Sequence, residues 1–360
     1  MGTITRGFAN KILGNGVIDA TGLSGNIPAS NVDNTSVTNI TSLPASFEVI
    51  ESTASDPSPA ATGTVWYNST TAAVKYQSVT TAAAWASGGN LANARHALGS
   101  AGTQTAALAF CGTQDPPYLT STEEYDGTSW TAGGNFPTAT AYIGGCGTQT
   151  SALAFGGQPS VPPSNTAQEY DGTSWTAGGN MSAARTGPAS NQSTQTAAIS
   201  FGRTVSPRGA TEEYDGTSWT TGGEMANGRY ELGGAGTQTS ALAFGGDSPT
   251  FDATEEYDGT SWSSGGNLPG AIFDNAGAGS QTAALSMGGR LTVAITTVSS
   301  YNGTSWTADT AMSNARFASG GTGSQTSAIV YGGRASGVNL ASTEEFTGAG
   351  ASVAKTVTAT

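Results

Sequence analysis

Six tryptophans, Trp85, Trp130, Trp175, Trp219, Trp262 and Trp306, follow one another at gaps of 45, 45, 44, 43 and 44 residues. Around five of them the sequence is nearly the same: EEYDGTSW at 123–130, QEYDGTSW at 168–175, EEYDGTSW at 212–219 and 255–262, and SSYNGTSW at 299–306. A fixed period of this length means one supersecondary unit copied around an axis or along a solenoid.

One unit reads as four short strands. In the second copy, YIGGC at 142–146 is a Gly-rich strand and GTQT at 147–150 a turn. SALAFGG at 151–157 is the second strand, followed by a loop of Pro, Ser and Asn. AQEYDG at 167–172 is the third, ending on an Asp-Gly turn, and TSWTAGG at 173–179 is the fourth. Helical periodicity is absent throughout. Four strands with one set of aromatic and Gly markers per unit is the pattern of a β-propeller blade. The order of Gly pair, Glu-Tyr-Asp and Trp resembles the kelch repeat, over about residues 85–346. Gly pairs or their variants stand at Cys111–Gly112, Gly156–Gly157, Gly202–Arg203, Gly245–Gly246, Gly288–Gly289 and Gly332–Gly333, which makes six units.

The last unit has its third strand at 344–346, but TGAGASVAK follows where DGTSW is expected. The missing tryptophan strand stands at the other end, AAAWASGGN at 82–90. The expected fold is therefore all-β: a six-bladed kelch-type β-propeller over 82–360, closed by strand 82–90 pairing with 342–347. Closure by residues 352–358 is the alternative.

Residues 1–60 carry no repeat and space their apolar residues singly: Ile18, Leu23, Ile27, Val32, Val37, Ile40 and Leu43. Such a segment cannot bury a core alone and is expected to be an extended attachment or oligomerisation segment. It resembles the sparse spiral segments of phage tail fibres. GTVWYNSTTAAVKYQ at 63–77 has two β-prone runs around an Asn-Ser-Thr-Thr cluster, so 61–81 is expected to be a β-hairpin connector. It resembles a hairpin of bacteriophage fibre and spike proteins.

The 12 basic and 25 acidic residues leave a net charge of −13, which offers nothing to neutralise phosphates. Nucleic acid and anionic membrane surfaces are excluded as partners on that ground. Apolar runs are strand-sized, so no membrane insertion is expected, and the N-terminus has no signal-peptide pattern. Two cysteines in small-residue positions, Cys111 and Cys146, make no disulfide framework.

The repeated residues read as scaffold. The six tryptophans are expected to pack between blades. A ring of amides, Gln104, Gln149, Gln195, Gln238, Gln281 and Gln325, is expected to bond side chain to backbone. DGTSW resembles the Asp-box of sialidases, with the difference that Asp and Gly are adjacent. Asp126, Asp171, Asp215 and Asp258 are turn residues on this reading, with a calcium role as the alternative. Arg95, Arg185, Arg229 and Arg316 fit interblade pairing with the Glu-Glu strands, or else a grip on a carboxylate sugar.

Antiparallel strands put the 1–2 and 3–4 turns on one face and the 2–3 and 4–1 loops on the other. The first face is nearly identical in every copy; the second differs in every copy. A scaffold constant on one face and varied on the other reads as a recognition surface. Its candidate ligand-binding residues are Tyr118, Phe136, Arg203, Arg208, Tyr230, Phe251, Phe273, Asp274, Arg290, Phe317 and Arg334.

The single histidine, His96, rules out a multi-histidine metal site. No catalytic residue, cofactor or metal is expected, although paired carboxylates leave a glycan-degrading enzyme as a lesser alternative. Taken together, the opening GTITRGFANKI, the sparse segment, the WYN hairpin and the EEYDGTSWTAGGN copies resemble kelch-like structural proteins of marine tailed phages, especially of cyanophages. The resemblance implies a virion tail fibre, spike or appendage, made in the host cytoplasm and carried on the particle. Residues 1–60 would contact other virion proteins or build a homo-oligomer, a trimer being favoured. The propeller would meet a host-surface glycan; a purely structural decoration protein is the alternative.

Overall fold

The computed structural model describes residues 51–56, 64–79, 82–159, 162–189, 192–247, 251–350 and 352–356. The chain divides into a larger unit, Ala83–Gly348, and a smaller one built from the stretches on either side. All named elements among the described residues are strands.

The larger unit is a six-bladed β-propeller. Counting strands outward from the axis, blade I is Gly99–Thr103, Ala106–Phe110, Thr122–Tyr125 and Trp130–Ala132. Blade II is Gly144–Thr148, Ser151–Phe155, Ala167–Tyr170 and Trp175–Ala177. Blade III carries Ala198–Phe201, Thr211–Tyr214 and Trp219–Thr221. Its axial position is held by irregular backbone, where Gln192 N donates to Gly236 O and Gly147 N donates to Ser193 O. Blade IV is Gly233–Thr237, Ser240–Phe244, Thr254–Tyr257 and Trp262–Ser264. Blade V is Ala276–Ser280, Ala283–Met287, Val298–Tyr301 and Trp306–Asp309. Blade VI joins Gly320–Ser324, Ser327–Tyr331 and Thr343–Thr347 to Ala84–Gly88 from the other end of the unit, with Trp85 opposite Phe346.

Register explains the glycines of the first strands. Gly99, Gly144, Gly233 and Gly320 stand opposite Phe110, Phe155, Phe244 and Tyr331, and a Cβ at any of them would fall 2.1 to 2.5 Å from the ring. In blade V the ring is absent and so is the glycine: Ala276 faces Met287. Each of these aromatic residues is also a wall for the next blade. Trp130, Trp175, Trp219, Trp262 and Trp306 lie 4.7 to 5.3 Å from the second-strand ring of the preceding blade, and 4.8 to 5.0 Å from the tyrosine of their own. Such rings are among the largest apolar groups buried between blades.

Polar links cross the same seams. The Nε2 of each of the six glutamines donates to two backbone carbonyls of the preceding blade; Gln149, for example, reaches Ala107 O at 3.0 Å and Tyr125 O at 2.6 Å. Tyr125, Tyr170, Tyr214, Tyr257 and Tyr301 donate their hydroxyls to Glu345, Glu124, Glu169, Glu213 and Glu256 of the blade before. At the sixth seam both partners are replaced together, by Phe346 and Ser300. The tryptophan indoles of blades I, II, IV and V donate to a threonine of the preceding blade, Thr343, Thr122, Thr211 and Thr254. Blade II has Ala167 at that position, and Trp219 Nε1 is left buried without a partner.

The repeated arginines tie neighbouring blades: the backbone is bonded to the preceding blade, Arg185 N donating to Ser164 O and Arg316 N to Ile295 O, while the side chain reaches the Glu-Glu strand of the next. Arg95, Arg185, Arg229 and Arg316 are fully buried and each meets the first glutamate of the blade it leads into: Glu123, Glu212, Glu255 and Glu344, at 2.6 to 2.8 Å. The arginine lies on the loop entering the blade, so its reach ends on that blade's third strand. Blades II and V lack both members, carrying Thr140 with Gln168 and Ile272 with Ser299.

In the smaller unit Val65–Asn68 and Ala73–Val79 form a hairpin whose turn is capped by Asn68 Oδ1, which accepts from Thr70 N and Thr71 N. Glu51–Thr53 adds to Val65–Asn68 in parallel and Ser352–Thr356 adds to Ala73–Val79 antiparallel. One sequence boundary is corrected by this. The propeller does not extend to 360 but ends at Gly348, because its last blade is completed by Ala84–Gly88 and residues 352–356 find their ladder on the hairpin. The hairpin expected within 61–81 is present as Val65–Asn68 and Ala73–Val79, the two central strands of a four-stranded sheet. The expectations for residues 1–50 lie outside the described residues.

Two outcomes follow from these seams. Ala167→Thr supplies Trp219 with the acceptor its counterparts have and raises stability by about 1 kcal/mol in urea unfolding; no gain would mean the site has no room for the hydroxyl. Glu255→Ala strands a buried guanidinium and lowers stability by about 3–5 kcal/mol. Arg229→Ile with Glu255→Ser, the combination blade V already uses, costs less than that single change in the same measurement.

Candidate functional site

On the constant face the side chains are committed. Asp126 Oδ1 accepts from the backbone of Thr128 and Ser129, and Asp171, Asp215, Asp258 and Asn302 cap their own turns alike. These hydrogen bonds hold Asp126, Asp171 and Asp215 below the usual carboxylate range, and at Asp258 the Thr260 hydroxyl adds the largest pull in the same direction.

The varied face is different in kind. Just before each first strand one residue takes positive φ: Ala97 at 53°, Tyr142 at 52°, Gly187 at 64°, Glu231 at 53°, Asp274 at 57° and Ala318 at 50°. Five of these are not glycine, although left-handed backbone costs an L-residue about 1–2 kcal/mol. Neighbouring blades hold the conformation by hydrogen bonds around the axis. Tyr142 N donates to Ala97 O, Gly187 N to Tyr142 O, Asp274 N to Glu231 O, Ala318 N to Asp274 O and Ala97 N to Ala318 O, at 2.7 to 2.9 Å. The ring surrounds a cavity of about 90 Å³ at the axis, lined among others by Tyr142, Glu231, Asp274, Asn275 and Ser319. Strained backbone held by its surroundings is a mark of functional sites.

The mouth is acidic. Burial pushes Glu231 up to about 7, with Asp274 and Asp247 adding to the effect and Arg290 opposing it. Burial likewise pushes Asp274 up to about 6, against the pull of Arg290. Below the mouth the axis is bridged: Gln192 Nε2 donates to Thr322 Oγ1 at 3.2 Å, linking opposite blades III and VI, and Thr322 Oγ1 donates to Gly102 O at 2.6 Å. A separate cavity of about 410 Å³ opens beneath, among the 1–2 turns.

The residues expected from sequence fall into three groups. Phe273, Arg290 and Phe317 come together, the guanidinium lying 4.9 and 4.1 Å from the two ring centres while its Nε donates to Asp274 Oδ2 at 2.8 Å. Phe251 packs 6.1 Å from Phe273. Tyr230 donates to Asp247 Oδ2 at 2.5 Å and has Arg208 over its ring at 5.3 Å. At the other side of the face Arg334 pairs with Asp115, which stands 3.5 Å from the buried His96; Tyr118, partly exposed, bridges to Thr113 beside it. Three expectations are corrected, the first being Asp274, which is buried against Arg290. Phe136 is buried between blades I and II, stacked on Phe110 and edge-on to Trp175, because the 4–1 segment dips into the seam there. Arg203 is buried with its Nε on Pro207 O, closing its own loop.

Sequence reasoning missed Tyr142, Glu231 and Gln192. For Glu231 a signal was available: the second residue after each arginine reads Ala97, Gly187, Glu231 and Ala318, a varied position close to a repeated one. Gln192 sits where the third copy loses its Gly-Gly-x-Gly strand. The large exposed apolar side chains among the described residues, Val205, Leu291, Val293 and Val338, all lie on 2–3 loops of this face.

Comparison with known proteins agrees with the fold and goes no further. No family model matches the chain, and no curated protein does. Among solved structures, one titled "Structure of YjhT" is similar at a TM-score of 0.60 and 13% identity, covering 71% of this chain and 95% of that one. The chain is thus a six-bladed β-propeller with an axial acidic mouth.

Because the folded protein holds the Glu231 proton more tightly than an unfolded chain does, this group favours folding below about 4.5 and the contribution is lost as pH rises through 7. Thermal unfolding of the native chain should therefore show a fall in Tm between those pH values that Glu231→Gln flattens. An unchanged slope in the variant would show that Glu231 is ordinarily solvated.

Proposed function

We propose that this protein is a recognition propeller of a tailed-phage virion, part of a fibre, spike or appendage, that meets a host-surface glycan through its 2–3 and 4–1 loops. The observation that carries the reading is the segregation of the two faces. The constant face spends its polar groups on its own turns and seams. The other places non-repeated aromatic, charged and exposed apolar side chains around one axial mouth, and such a patch on an otherwise polar surface marks an interaction site. Phe251, Phe273 and Tyr118 offer partly exposed rings for the C–H faces of sugars. The virion setting rests on the resemblance of the repeat, hairpin and leader to phage structural proteins.

The protein on this reading binds without turning its ligand over. The pair Glu231 and Asp274 gives the enzymatic alternative one specific observation, since glycoside hydrolysis needs two carboxyl groups. Asp274, however, is committed to Arg290.

A glycan array probed with the full chain tests the reading, with localisation of the protein on particles by labelled antibody. Binding should be retained on at least one host-derived glycan and fall about tenfold or more in Phe273→Ser with Val293→Ser, at unchanged Tm. Binding insensitive to these changes would move the site off this face. Release of reducing sugar from host polysaccharide would replace binding by catalysis.

A further inference from the structure

Among the arginines of the varied face, Arg290 is held differently from the rest. Its backbone is fixed first: Arg290 N donates to Phe273 O at 2.9 Å and Phe273 N to Arg290 O at 3.0 Å. Its Nε then donates to Asp274 Oδ2 at 2.8 Å, and that carboxylate is buried. The guanidinium carbon lies 4.9 Å from the centre of the Phe273 ring and 4.1 Å from that of Phe317, so it has an aromatic neighbour from the entry of blade V and another from the entry of blade VI. Among the described residues Nη1 and Nη2 have no hydrogen-bond partner, and the side chain is 36% exposed. The planar group is thus fixed through one nitrogen and two rings, while the edge that carries both Nη atoms stays open.

Its counterparts are occupied in other ways. Arg203 closes its own loop on Pro207 O, Arg334 pairs with Asp115, and Arg208 lies over a single ring, that of Tyr230. Holding Arg290 from several sides removes on folding the side-chain freedom that an arginine ordinarily gives up on binding. What remains open is a pre-oriented pair of donors, and its geometric complement is a carboxylate, whose two oxygens accept from two parallel N–H groups. Asp274 offsets much of the charge of Arg290, and Glu231 and Asp247 stand close by, so the patch has no long-range pull on anions. Selectivity there comes from short-range hydrogen bonding, not from steering. Exposed Leu291 and Val293 follow on the same loop, and exposed Val338 stands on the 2–3 loop of blade VI. A ligand resting on them shuts out water, which strengthens a charge-assisted hydrogen bond beneath it.

We propose that Arg290 anchors the carboxylate of a uronic-acid residue, received by the open Nη edge, with the sugar ring lying on the loop of Leu291 and Val293. This rests on the reading of the varied face as a glycan-binding face and names the sugar class it takes. Phe273, Phe317 and Asp274 act as positioning residues: they hold the guanidinium and do not themselves meet the carboxylate.

Ligand-observed NMR with the full chain tests this by comparing methyl glucuronide with methyl glucoside. The glucuronide should bind about tenfold more tightly, as one bidentate charge-assisted contact would give. Arg290→Lys keeps a cation beside Asp274 but loses the planar fork, and should cut that advantage to about twofold or less at unchanged Tm. Phe317→Leu leaves the ion pair with Asp274 in place and removes one of the two rings; it should reduce the advantage to about threefold without altering glucoside binding. Equal or absent binding of the two sugars by the native chain, or an advantage that survives Arg290→Lys, overturns the proposal. Glucose 6-sulfate bound as tightly as the glucuronide overturns the carboxylate assignment. If the array shows neutral glycans held by a chain with no preference for the glucuronide, the recognition reading stands while this inference falls. An array blank for neutral and acidic glycans alike takes away the reading itself.

Discussion

Everything in the larger unit depends on how one blade is fastened to the next. A four-stranded blade of some forty residues has too little interior to stand alone, and its inner strand is largely glycine and alanine. Stability is therefore carried at the seams, where an indole lies on the neighbour's aromatic ring and a glutamine amide spans two of the neighbour's carbonyls. The amide matters because it fixes the relative height of adjacent blades, which apolar contact alone leaves free to slide. With height and spacing set six times over, the left-handed residues at the axis are held by hydrogen bonds they could not form in isolation.

The seams also show how a repeat tolerates divergence. Where a polar link is lost, both members are lost: Phe346 with Ser300, Ile272 with Ser299, Thr140 with Gln168. The physical reason is asymmetric cost. A buried pair contributes little net energy, but half a pair leaves an unmet charge or hydroxyl. Trp219 above Ala167 is the exception that carries such a debt.

Much of this architecture was legible because it is repetitive. Period, blade number, the Asp-Gly turns and the four strands of a unit are statements about spacing, and spacing survives in sequence. What was not legible depended on side-chain direction in places without a repeat. Phe136 looked like a loop aromatic and is core, since nothing in NFPTATAY says that the segment dips into a seam. Glu231 was hidden in a short varied stretch between an arginine and a strand, and Tyr142 in the blade that has lost that arginine. Asp274 was found, though for an exposed role, whereas it is buried against Arg290.

The strand that completes blade VI comes from the opposite end of the unit, roughly 260 residues away, a closure that costs on the order of 5 kcal/mol in chain entropy. Until Thr343–Thr347 has been synthesised, Ala84–Gly88 has no ladder, and until the two meet the ring has two complementary open edges. Those edges match equally well between different chains. At the high local concentrations at which many copies of one product are made together, the fidelity of folding becomes a contest between a slow unimolecular closure and a bimolecular exchange that would link propellers end to end.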